Sequence, residues 1–130
     1  FILDLDQDFN SRKITKSIEI VYGLRNFIGN ANKFSKSKIF IKLKSDANST
    51  IVNIEDDGDG YPSDILSKIG EPYLKSSRYS NKEKTGLGLG LFIGKTLLEK
   101  NFASVNCWNS ESGKGAEVVI KWKNKDLFNL

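Results

Sequence analysis

Between Lys84 and Lys100 the chain reads KTGLGLGLFIGKTLLEK, with glycine at every second position, Gly86, Gly88 and Gly90, leading into an apolar, lysine-bearing run of helical character. Glycine loses more backbone freedom on folding than any other residue, so three of them at a helix start are costly. The pattern makes physical sense where backbone amides must lie close to a ligand. Successive N–H groups near a helix N-terminus form a concave anion site that side chains would block. The spacing is not that of a dinucleotide-binding βαβ unit, because the preceding segment is a polar loop rather than a strand, and no Gly-Lys-Ser/Thr closes a P-loop. Tight helix packing explains one such glycine well and three poorly.

Two absences narrow the chemistry. The 130 residues contain no His and a single Cys, Cys107. Zinc centres built on His and Cys, Ser-His-Asp or Cys-His catalysis and an internal disulfide are therefore excluded. One thiol in an alternating strand pattern reads as a small buried hydrophobe in a reducing compartment. A chain that is 38% hydrophobic and 28% charged suits a single domain over residues 1–130 with its own core. It starts in mid-pattern at FILDLD without a Met, as a piece of a longer protein would. No run reaches the roughly 18 apolar residues of a membrane span, and no signal peptide is evident. The net charge of +4 comes from lysines mixed with acids on alternate strand positions, a solvated face rather than a nucleic-acid stripe.

Periodicity lays out the elements. FILDL alternates as a short strand. From about Lys16 to Phe34, Ile20, Leu24, Phe27, Ala31 and Phe34 repeat by four and three, the buried stripe of an amphipathic helix. In KIFIKLK, Ile39, Ile41 and Leu43 alternate against Lys38, Lys42 and Lys44. TIVNIEDD continues as a second strand after the turn SDANS. Pro62 opens a short helix with Ile65, Leu66 and Ile69 that stops at Gly70. The polar stretch from Tyr73 to Gly86 reads as a mobile loop, followed by a helix to about Lys100. SVNCWN and GAEVVIKW form a closing hairpin with Ala116, Val118, Ile120 and Trp122 on one face. The class is α+β: a two-layer sandwich with helices on one face of a mixed, mainly antiparallel sheet.

Chemistry-bearing residues gather in three places. On the long helix Asn26, Asn30 and Lys33 repeat by four and three, one position out of phase with the core stripe, so they line its edge. Two amides and an ammonium there can hold a hard cation and a phosphate, although a solvated helix edge looks the same. At a strand end, EDDGDGYP offers Asp56 or Asp57 as an acceptor, while Gly58 and Gly60 let the backbone approach a ligand. A calcium loop read from Glu55 fails at its twelfth position, which is Leu66 where a bidentate Glu is required. The third place is the glycine-rich stretch itself.

The order of these signals is more specific than any one of them. NFIGNANKF, DDGDG, GEPYLKSSR, GLGLGLFIGKTLLE and GKGAEVVIKW resemble, in that sequence, the N, G1, F and G2 boxes and the final strand of the ATP-binding catalytic domain of sensor histidine kinases, of the Bergerat (GHKL) fold. The likeness runs from about Ile20 to Trp122. GEPY together with GLFIGKTLLEK is especially similar to the RegB/PrrB group of redox-responsive kinases.

That resemblance implies a set of roles. Asp56 accepts the adenine amino group, and Gly58 and Gly60 let the base lie against the backbone. Asn30 coordinates Mg²⁺, with Asn26 one turn earlier on the phosphate side. Lys33 reaches the phosphates and Phe34 sits by the nucleoside. Gly86, Leu87, Gly88, Leu89 and Gly90 form the stretch that wraps the phosphates. Tyr73 closes the F box, and Lys75 and Arg78 in the lid touch the γ-phosphate. Asp59 stands where the family usually has Pro, and Tyr73 where Phe is usual. Hydrolytic relatives of the Hsp90 and MutL types carry a Glu one turn before the Asn; here that position is Asn26, which is no base at neutral pH. The implied function is to bind ATP, or ADP, with Mg²⁺ and to donate the γ-phosphoryl group to a His on a separate dimerisation domain of the same protein, which then serves a response regulator. With no His the chain cannot phosphorylate itself. A nucleotide-binding regulatory module without transfer activity is the alternative. The expected setting is a cytoplasmic, monomeric domain of a parent anchored in the bacterial inner membrane by other segments.

Overall fold

The computed structural model describes residues 2–5, 17–68, 85–110 and 115–127, with the backbone alone at 2–5, 67–68 and 85–89. In chain order the elements are β1 (Ile2–Leu5), α1 (Ile18–Phe34), β2 (Ile39–Ser45), β3 (Ser49–Asp56), α2 (Ser63–Lys68), α3 (Thr85–Lys100), β4 (Ser104–Asn109), β5 (Ala116–Lys123) and α4 (Asn124–Leu127). The strands form one sheet in the order β1-β2-β3-β5-β4. Only the β1–β2 pair is parallel; the others are antiparallel. This is the mixed, mainly antiparallel sheet that the alternation implies. The short helix α4 carries no signal in the sequence reading, which ended its last element at Trp122. Among the described residues no helix is long and apolar enough to cross a membrane.

Local chemistry sets the ends of α1. Ser17 caps it, its hydroxyl accepting from the Ile20 amide at 3.3 Å, so a first-turn donor that the helix cannot satisfy is paired. The stripe of Ile20, Phe27 and Ala31 is buried, with Leu24 and Phe34 packed at its margin. It meets a sheet face made by Ile39, Ile41, Ile54, Val118, Ile120 and Trp122, all buried.

Three glycines let α1 and α3 come together. A β-carbon on Gly23 would stand 2.6 Å from Leu98 Cγ, one on Gly94 would stand 2.8 Å from Phe27 Cε2, and one on Gly90 would stand 2.9 Å from Asn30 Nδ2. The partners run in opposite directions along the two helices, at spacings of one turn, so the pair is antiparallel and seated on backbone rather than on side chains. Gly90 therefore has a packing reason, and is the one such glycine that tight helix packing explains well.

Gly23→Ala should lower stability by about 1–3 kcal/mol through overpacking, although alanine favours a helix over glycine by roughly 1 kcal/mol. Leu98 is 0% exposed, and Leu98→Ala alone should cost about 2–5 kcal/mol. In the Leu98→Ala background only the Gly94 carbonyl, 3.3 Å from the β-carbon, stays close, so Gly23→Ala should lose most of its cost. Urea unfolding of the four proteins measures this; an undiminished cost would contradict the packing described.

Candidate functional site

One pocket opens where α1 ends, β3 ends and β5 begins. It is lined by Phe27, Asn30, Ala31 and Phe34 from α1, by Ile54 and Asp56 from β3, by Asp59–Pro62 from the following turn, and by Ala116 and Val118 from β5. It is a cleft open to solvent: about 630 Å³ of space lies within it, the solvent at its mouth included. Its walls are mainly apolar with a few convergent polar groups.

Asp56 is the polar group of the floor. It is 7% exposed, and its Oδ1 accepts from the Gly58 amide at 2.8 Å and the Ala116 amide at 3.3 Å. Among the described residues both donors go to Oδ1, which leaves Oδ2 for a donor inside the pocket. Two glycines make this arrangement possible. Gly115 has φ +81°, and a β-carbon there would lie 1.7 Å from the Asp56 carbonyl oxygen. At Gly58 a β-carbon would lie 2.1 Å from the Phe34 carbonyl oxygen. Neither position admits a side chain.

Asn30 faces the same pocket from the helix, and its Nδ2 is buried without a hydrogen-bond partner. Buried amide N–H groups are nearly always paired, so this one is a donor open to an acceptor on a ligand. Among the described residues no three His, Cys, Asp or Glu side chains cluster to hold a metal. A hard cation such as Mg²⁺ needs no such cluster: one or two protein oxygens, waters and substrate phosphates suffice. Asn30 fits that donor set through its side-chain oxygen, not through Nδ2.

Of the residues picked from the sequence, Asn30, Phe34, Asp56 and Gly60 line the pocket, and Gly58 is buried behind Asp56 and Phe34. Asn26 does not line it; its amide folds back on the Tyr22 carbonyl at 2.8 Å. Lys33 is exposed, with Nζ 5.4 Å from the centroid of the Phe34 ring. Gly86, Leu87, Gly88, Leu89 and Gly90 occupy the first two turns of α3, where the amides of the first four residues, Thr85–Gly88, have no intrahelical acceptor. Tyr73, Lys75 and Arg78 lie outside the described residues.

Sequence reasoning missed four contributors. Tyr61 is buried in the pocket wall, and its hydroxyl hydrogen-bonds Cys107. Asn109 grips the Tyr61 backbone, Oδ1 accepting its N–H at 2.7 Å and Nδ2 donating to its carbonyl at 3.2 Å. Gly115 was quoted only as part of a strand motif. Asp57 was named beside Asp56 but given no separate role.

Residues 15–126 match the family described as histidine kinase-, DNA gyrase B-, and HSP90-like ATPase. The chain is 37% identical over 102 residues to the sensor histidine kinase RegB of Cereibacter sphaeroides, covering 75% of this chain and 22% of that protein. It is 34% identical over 100 residues to the sensor protein SrrB of Staphylococcus aureus, covering 75% of this chain and 17% of that one. Its fold superposes on the mycobacterial sensor histidine kinase MprB with a TM-score of 0.66 at 19% identity, over 94% of this chain and 81% of that structure.

Electrostatics separates the two neighbouring acids. Burial pushes the Asp56 carboxyl above its usual range, with the Gly58 and Ala116 amides opposing the shift and the Asp57 charge adding to it. Asp57 moves the other way: the Ser37 hydroxyl and the amides of Ser37, Lys38 and Lys36 hold it well below the carboxylate range. Burial also pushes the Tyr61 hydroxyl up and the Cys107 thiol up to about 11, so that thiol stays protonated near neutral pH.

The two acids should respond oppositely to amidation. A raised pKa adds stability below the unfolded value and loses it as pH rises through the folded value; a depressed pKa adds stability above the unfolded value and loses it as pH falls. Asp56→Asn should leave the empty protein as stable as wild type or more so near neutral pH, an advantage that fades as acid protonates Asp56. Asp57→Asn should be less stable near neutral pH, a deficit that fades below the ordinary carboxylate value of about 4. Thermal midpoints across the acid-to-neutral range measure both; shifts of the same sign in both variants would contradict the assignment.

Proposed function

The chain belongs to the histidine kinase-, DNA gyrase B- and HSP90-like ATPase family, and from that premise we propose that it is the ATP-binding catalytic unit of a sensor histidine kinase, holding Mg-ATP for transfer of the γ-phosphoryl group to a histidine elsewhere in its protein. One observation carries this reading: buried Asp56, with an oxygen to spare, and half-buried Asn30, with an unpartnered N–H, line the same pocket. An acceptor buried in an apolar cleft suits the amino group of adenine, the free N–H of Asn30 suits a phosphate oxygen, and the carbonyl oxygen of the same amide suits a hydrated hard cation on the phosphates.

The residues divide the work by position. Asp56 accepts from the base, and Phe34 and Ile54 press on it from opposite elements. Asn30 orients the phosphates, Lys33 swings from the Phe34 ring to neutralise them, and the open amides of Thr85–Gly88 point at them. Mg²⁺, when bound, supplies neutralisation of the charge that develops on the transferring group. Asn26 cannot take a proton from water at neutral pH, so the site positions ATP for another nucleophile. The chain has no His and spans 22% and 17% of the lengths of RegB and SrrB. The phosphoacceptor and sensor parts are expected in the remainder of the protein, together with any membrane anchor, and a response regulator as the next acceptor.

Calorimetric titration with ADP tests the site. Asp56→Asn should weaken binding with or without Mg²⁺, by about 1–3 kcal/mol for a lost charged hydrogen bond. Asn30→Ala should abolish only the increment that Mg²⁺ adds. Gly90→Ala, whose methyl group would press on the Asn30 amide, should behave like Asn30→Ala. Unchanged affinity in both Asp56→Asn and Asn30→Ala would overturn the assignment.

With labelled ATP the chain alone should acquire no phosphohistidine and release phosphate slowly. Supplied with the histidine-bearing domain of its own protein, it should label that domain in a Mg²⁺-dependent way. Brisk hydrolysis by the chain alone would favour an ATPase, and binding without transfer would favour a regulatory module.

A further inference from the structure

Asp57 makes no contact with the pocket, yet it is the most heavily solicited side chain beside it. Its Oδ1 accepts from the amides of Lys36 at 2.8 Å, Ser37 at 3.0 Å and Lys38 at 3.1 Å. Its Oδ2 accepts from the Ser37 hydroxyl at 2.6 Å and from the Ser37 amide at 3.2 Å. In return its own amide donates to the Lys38 carbonyl at 3.2 Å. Three consecutive backbone donors of the connection between α1 and β2 thus converge on one carboxylate at the end of β3, about twenty residues away in sequence.

We propose that Asp57 is a positioning residue for the nucleotide, clamping the Phe34–Lys38 connection against the end of β3 and so fixing the gap between the two walls that receive the base. The inference rests on reading the pocket as a nucleotide site. Its geometry is direct. Phe34, at the start of the clamped connection, forms one wall. Its carbonyl lies against Gly58 so closely that no β-carbon fits, and the Gly58 amide in turn donates to Asp56 Oδ1. A shift of the connection therefore moves Phe34 and, through Gly58, the Asp56 acceptor on the floor. An exposed pair between Lys36 Nζ and Asp59 Oδ1 at 3.1 Å ties the same two segments at the mouth, but at 68% and 90% exposure it adds little. The carboxylate is the stronger tie because it is charged and answers several donors at once. Asparagine keeps the shape but not the charge: with its oxygen on the three amides, the Oδ2 position becomes a donor, so the second bond from the Ser37 amide is lost and the Ser37 hydroxyl can no longer donate there.

The test is calorimetric binding of ADP, in Mg²⁺ and in EDTA, to wild type, Asp57→Asn, Ser37→Ala and the double variant. Circular dichroism establishes that each variant is folded at the temperature used. Asp57→Asn should weaken ADP by about tenfold, as sub-ångström misplacement of binding groups does, by the same factor with and without Mg²⁺. Ser37→Ala, which removes a single bond, should show a smaller loss. The double variant should lose no more than Asp57→Asn, since both act through one clamp. A folded Asp57→Asn with wild-type affinity, a loss confined to Mg²⁺, or full additivity of the two changes would overturn the clamp. Should Asp57→Asn fail to fold, wild-type affinity in Ser37→Ala would overturn it alone. Wild type that binds no ADP would remove the nucleotide reading itself, whereas wild type that binds beside an indifferent Asp57→Asn removes only the clamp.

Discussion

Asp56 sits at the end of β3 under opposing demands. Burial works against its charge, and backbone amides from the next turn and from the start of β5 hold it in place. A buried carboxylate persists in a fold only when hydrogen-bonded, and here the donors exist because two glycines bring backbone where side chains would collide. The pairing of β3 with β5 supplies one donor, since Glu55 lies opposite Glu117 and the strands continue to Asp56 and Ala116. The pocket is what remains around the oxygen left over.

The rest of the architecture serves to bring α1 to that oxygen. The helix lies on α3 through glycine contacts and on the sheet through its apolar stripe, and its last turn presents Asn30, Ala31 and Phe34 to the pocket. A bulkier seam would lift α1 from α3 and carry the Asn30 amide away from Asp56. The seam and the site therefore share a glycine: Gly90 lies in both, beneath Asn30 and just beyond the open amides at the start of α3. At Gly90, helix packing joins close approach to an anion as a reason for the absent side chain.

Much of this was legible in the sequence because it is local. Alternation gave the strands and the four-and-three repeat gave α1, with observed ends within a residue or two of the expected ones. Asn30, Phe34, Asp56, Gly58 and Gly60 were picked from short motifs, and the structure brings them together. What was not legible depends on pairs distant in sequence. Asp57 gathers donors about twenty residues earlier, and backbone amides leave no mark in a sequence. Asn109 holds the Tyr61 backbone across forty-eight positions, and Gly115 matters only because Asp56 lies against it. Asn26 shows the opposite limit: its spacing fits the site edge, but a free amide at that spacing finds its own helix carbonyl first.

The central claim is that the spare oxygen of Asp56 reads an amino group at the floor of the pocket. Comparing ADP with GDP by calorimetry in EDTA tests it most directly, because the two differ at that position: adenine presents an amino group where guanine presents a carbonyl. A site whose buried acceptor is left facing another acceptor rejects the wrong ligand strongly, so ADP should bind at least about a hundredfold more tightly than GDP in wild type, and the ratio should collapse in Asp56→Asn. Equal affinities of wild type for ADP and GDP would contradict the account.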